Sequence, residues 1–88
     1  MRTVVEDSFV STVIDQVQAL YPRLDDAFEA LKWWLSHRPE SGEIIDDENW
    51  LYKQSGNKDK DIPALVVVYT FNSWQVILKF VLVRVPSL

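Results

Sequence analysis

The side chains in this 88-residue chain that could do chemistry are one histidine, one run of carboxylates and nine lysines and arginines, with no cysteine. Without cysteine there is no disulfide, no thiolate nucleophile and no thiolate-based zinc site. His37 falls in the last turn of a helical stretch, where a cation favours the negative end of the helix dipole. No hydroxyl or thiol that it could activate is identifiable. Asp46, Asp47 and Glu48 are adjacent, but they lack the alternating ligands and central glycine of a calcium loop. They read as a solvated loop, and neither metal nor cofactor is expected.

The cations are unevenly placed. Residues 1–49 carry four Lys and Arg against eleven Asp and Glu, whereas residues 50–88 carry five against two. Strong salt-dependent binding to nucleic acid needs about 6 to 10 phosphate contacts, so five cations make a small footprint. A pI of about 4.7 also disfavours RNA as the main partner. The asymmetry is compatible with ordinary solvating carboxylates on helices and loops, or with a weakly basic sheet that meets an anionic partner. The length allows one domain, spanning 1–88. The N-terminal residues lack the apolar block of a signal peptide, and the longest apolar run is too short to span a bilayer. A cytoplasmic protein that does not enter the membrane is expected.

The elements that must position these groups are read from hydrophobic period. Arg2 to Glu6 is extended in character and predicts a first strand over 2–6. Ser8 can cap a helix over 8–20 whose apolar stripe is Phe9, Val10, Val13, Ile14, Val17 and Leu20. Tyr21-Pro22 ends it. A second helix over 23–37 turns Leu24, Ala27, Phe28, Leu31, Trp34 and Leu35 inward and points Trp33 away, either onto the loop around Pro39 to Ile45 or toward a partner. Residues 38–49 are irregular, and 49–54 reads as a strand.

Two apolar runs then face each other across Asn72-Ser73, which predicts a β-hairpin with strands over 64–71 and 75–84. In the first strand Leu65, Val67, Tyr69 and Phe71 face one way, and Ala64, Val66, Val68 and Thr70 the other. In the second, strict alternation puts Trp74, Val76, Leu78, Phe80 and Leu82 on one face and Ile77, Val81, Val83 and Val85 on the other, interrupted by Lys79. Apolar residues on both faces depart from the alternation of a sheet with one wet side. The face away from the helices is then covered by a partner or by the chain's own loops and termini. The partner-binding candidates are Trp33, Val66, Val68, Ile77, Val81 and Val83. The fold expected is α+β: a two-helix hairpin on a twisted antiparallel sheet, in the order β-α-α-β-β-β.

Phe9 with the helix behind it, Tyr21-Pro22, the helix Leu24 to Leu35, Arg38-Pro39, Gly42, the strand around Tyr52-Lys53 and the hairpin through Val68-Tyr69 together resemble the RelE/ParE toxin superfamily. The resemblance spans nearly the whole chain. It implies a helical hairpin on a twisted antiparallel sheet and an antitoxin whose segments wrap the toxin. One branch of the superfamily cleaves messenger RNA on the ribosome, and the other inhibits DNA gyrase. The RNA-cleaving branch uses basic residues on the sheet to stabilise charge during attack by the ribose 2′-hydroxyl. Lys53 matches one such lysine, but Leu51 stands where another is expected and Val66 replaces the hairpin arginine. The closing Val85-Pro86-Ser87-Leu88 offers no basic-aromatic segment. Lys53, Lys79 and Arg84 are the catalytic candidates that remain. The resemblance thus implies a toxin-like protein that binds an antitoxin through its sheet face and has weak or no ribonuclease activity. The alternatives are a non-toxic interaction module, including a homodimer, and a ribosome-dependent ribonuclease using the reduced basic set.

Overall fold

In a computed structural model describing residues 1–84, the chain begins with β1 (Thr3–Glu6) and continues through helices α1 (Ser8–Gln18) and α2 (Leu24–His37). A 3-10 turn at Pro39–Ser41 leads to β2 (Glu43–Ile44), β3 (Trp50–Gln54), β4 (Ala64–Phe71) and β5 (Gln75–Arg84). The five strands form one sheet in the order β1-β5-β4-β3-β2. The expected α+β class and the helix pair on a sheet are present. The sheet is mixed rather than antiparallel, because β1 runs parallel to β5, with Thr3 opposite Gln75 and Glu6 opposite Leu78. A parallel pair needs a long crossover connection, and the two helices with the strands that follow them supply it.

Local chemistry sets the helix ends. Asp7, not Ser8, caps α1: its carboxylate accepts from the Phe9 N–H at 2.9 Å. Helix α1 stops at Gln18, leaving Leu20 exposed rather than on the inward stripe. In α2, Leu24, Ala27, Phe28, Leu31 and Leu35 are buried as their spacing requires. Trp34 instead lies at the margin, partly exposed, with the Arg38 guanidinium 5.7 Å from its ring centroid. Lys32 joins the layers, meeting Glu6 of β1 at 3.3 Å and Glu29 at 2.8 Å. Burial pulls its pKa down, but the hydrogen bonds and charges of Glu29 and Glu6 outweigh that and raise it.

The core lies between the helix pair and one face of the sheet, built from Val10, Ile14, the buried residues of α2, Leu65, Val67, Tyr69, Val76, Leu78 and Val81. Residues 38–49, read as irregular, contain the short strand β2, whose Glu43 pairs with Leu51 and Ile44 with Trp50. Two residues are too few to show a period. Tyr69 fixes the turn before β2: its hydroxyl donates to the Pro39 carbonyl at 2.5 Å and accepts from the Gly42 N–H at 3.1 Å. Gly42 is required there, since a Cβ would lie 2.5 Å from the Leu51 carbonyl oxygen.

The hairpin departs from its sequence reading in two ways. Its connection is Asn72-Ser73-Trp74, not two residues, because the Asn72 side chain accepts from the N–H groups of both Trp74 and Gln75. This is an Asx turn. Trp74 therefore sits in the loop, exposed. The second departure is a β-bulge: Val68 pairs with Phe80 and Tyr69 with Leu78, leaving Lys79 as the extra residue.

Candidate functional site

The bulge decides which residues reach the face opposite the helices. Before it, Val76 and Leu78 point into the core; after it, Val81 is buried at 2% exposure and Val83 packs against the core. Val81 and Val83 therefore leave the outer set assigned to them from alternation. Phe80 and Leu82 take their places, at 43% and 47% exposure. Val85 lies outside the described residues. Val66, Val68 and Ile77 stay on the outer face as expected, half-buried by their neighbours.

Register gives the layout of this face. One row crosses the sheet from Val5 to Ile77 to Thr70. The next runs from Phe80 through Val68 and Leu51 to Glu43, and a third from Leu82 through Val66 to Lys53. Among the described residues, no helix or further strand packs over it. Phe9, at the start of α1, stacks its ring on Phe80 with centroids 5.3 Å apart. Both rings stay partly exposed, so Phe9 adds to the apolar surface at Phe80. A contiguous apolar patch left in water marks a site of interaction.

The three cations named from sequence share this face but do not converge. Lys53 is exposed opposite Val66, and Arg84 is exposed opposite Ala64, so both stand at one end on either side of β4. From strand spacing their Cα atoms are roughly 12 Å apart. Lys79 is farther along β5, about 17 Å from Arg84 at 3.3 to 3.4 Å per residue. Its ammonium donates to Asn49 at 2.8 Å. Asn49 in turn donates its side-chain N–H to Asp46, which also accepts from the Glu48 N–H. Those bonds, the Asn49 amide foremost, hold the Asp46 carboxyl below the usual range, and the Lys79 charge adds to the effect. Asp46 thus builds the loop between β2 and β3, and Lys79 is committed to the same knot.

Trp33 and His37 lie together on the solvent side of α2, with ring centroids 4.2 Å apart. The His37 Nδ1 is 2.8 Å from the Trp33 carbonyl oxygen and 3.0 Å from the Ser36 hydroxyl. Trp33 is thus exposed on its own helix rather than packed on the loop after Pro39. It belongs to a different surface from the open face. A small cleft of about 150 Å³ at the edge of β3 is lined by Ser41, Gly42, Glu43, Leu51, Tyr52 and Lys53.

Phe80, Leu82, Leu51 and Val5 were not picked out from sequence as members of this face. Lys79 interrupts an apolar run, but a lone charge does not by itself mark a bulge, so no sequence signal pointed to Phe80 and Leu82. Compared with known proteins, the chain matches no family model, no curated protein and no solved structure. Among the described residues no helix is long and apolar enough to cross a membrane.

Proposed function

We propose that this chain is the toxin-like member of a type II toxin-antitoxin pair of the RelE/ParE kind. It works in the cytoplasm and binds its antitoxin through the open face of the sheet. The observation that carries the reading is that face, with Val66, Val68, Ile77, Phe80 and Leu82 on it and no second layer among the described residues. At about 25 cal/mol per Å² of apolar area removed from water, covering several such side chains gives a partner a substantial driving force. The order of two helices before the closing strands agrees with what the sequence resemblance implies.

Ribonuclease activity is weak or absent in this reading. Charge stabilisation during phosphodiester cleavage needs cations aimed at one phosphate, whereas Lys79 is bound to Asn49 and stands far along the strand from Arg84. Expression of the chain with and without the product of a small neighbouring gene tests the proposal. The expected result is a soluble monomer that forms a stable complex with that product, and loss of the complex in Leu82→Asp or Val66→Asp. A tight self-dimer destroyed by the same substitutions would replace the antitoxin with a second copy. Growth arrest with transcript cleavage that disappears in Lys53→Ala and Arg84→Ala would overturn the weak or absent activity and make the chain an active ribonuclease.

A further inference from the structure

The open face is electrically lopsided, and that restricts what can cover it. Lys53 and Arg84 flank its far end, with Ala64 and Val66 of β4 between them. Ala64 is small, so the floor between the two long side chains is low. Among the described residues the ion pairs are Arg23 with Asp26 and Lys32 with Glu6 and Glu29, so neither Lys53 nor Arg84 is matched by a carboxylate. The other end differs. There Lys79 donates to Asn49, and its charge acts on the nearby Asp46 carboxylate.

We infer that the occupant of the face is a protein segment with apolar side chains and a carboxylate, the carboxylate lying between Lys53 and Arg84 and the apolar side chains running over Leu82, Val66, Phe80 and Val68. The inference rests on the sheet-face reading and adds to it the chemistry and direction of the bound segment. Charge complementarity selects this occupant over a second copy. In a two-fold contact the same surface meets itself, and the strand residues of this face carry one carboxylate, Glu43, opposite Leu51 on β2 and diagonal to Lys53, so it can answer at most one of the two cations. Self-association would leave at least one of Lys53 and Arg84 against apolar residues or against the other cation, and an unpaired charge out of water is costly. A carboxylate from a partner removes that cost, and it gains from a site where the cations are held apart by strands and not by flexible loops.

Two synthetic 12-residue peptides test this on the isotope-labelled full chain, one alternating valine with glutamate and one alternating valine with lysine. The glutamate peptide is expected to shift the amide signals of Lys53, Val66, Leu82 and Arg84 and to bind at least tenfold more tightly than its lysine twin. In the Lys53→Glu, Arg84→Glu double variant the preference is expected to reverse, with the unperturbed signals of the core confirming an intact fold. Equal binding of both peptides, weakened alike by Leu82→Ser and unmoved by the charge reversal, would overturn the inference while leaving the face as a binding surface. Failure of either peptide to shift any outer-face signal would overturn both.

Discussion

Val67 and Val68 are adjacent residues of one strand with the same side chain, yet Val67 is sealed beneath the helices while Val68 lies on the open face. The contrast extends across the sheet. Leu65, Leu78 and Val81 are enclosed by α1 and α2, whereas Leu82 and Val66 are no less apolar and meet no second layer among the described residues. An apolar side chain contributes to stability according to what covers it, not according to its hydropathy. The inner face therefore holds the fold together, and the outer face has its burial energy still available for association.

Substitutions that treat the faces alike should separate them. Leu65→Ala or Leu78→Ala opens a cavity under the helices and is expected to cost about 2 to 5 kcal/mol, read as a lower midpoint in urea unfolding. An equal cost for Leu82→Ala would break the comparison.

The next largest effect is at alkaline pH. Burial, with a smaller contribution from nearby Glu40, pushes the Tyr69 hydroxyl up to about 12. In the unfolded chain it titrates near 10. Above about pH 10 the unfolded chain gives up this proton while the folded chain keeps it, so stability falls until about pH 12 and then levels. The loss is about 2 to 3 kcal/mol for a two-unit difference. Tyr69→Phe should abolish that part of the pH dependence, which comparison of the two unfolding curves from pH 9 to 12 would detect.

At neutral pH the same Tyr69→Phe change leaves the Pro39 carbonyl and the Gly42 N–H without their partner, and a loss of about 1 to 3 kcal/mol is expected. Asp7→Ala removes the α1 cap and should cost about 1 kcal/mol by thermal unfolding. The smallest effect belongs to the outer face. Leu82→Ser and Lys53→Ala should stay within about 0.5 kcal/mol of the unmodified monomer, yet weaken partner binding. A large loss of monomer stability from either would mean that the face is already covered.

Much of this was legible before any coordinates. The stripes of α2 and the two-sided character of β4 follow from local periodicity, and Leu24, Ala27, Phe28, Leu31, Leu35, Leu65, Val67 and Tyr69 are buried as the spacing requires. Trp34 was misplaced because a large ring at the margin of a stripe can turn outward toward Arg38. The assignment of Val81 and Val83 failed at Lys79, since a single extra residue inverts every later position of a strand. Of the basic candidates, the types were readable but not the separation, which depends on strands that pair across the sheet.

Amino-acid order alone set the helices, the four longer strand segments and the apolar character of both faces of the closing hairpin, because period and turn chemistry act between residues close in the chain. Tertiary structure decided three things: the parallel seat of β1, the inversion at Lys79, and which apolar face the helices cover. Each depends on pairing or packing between residues far apart in sequence, where the free energy of contact and not local spacing selects the partner.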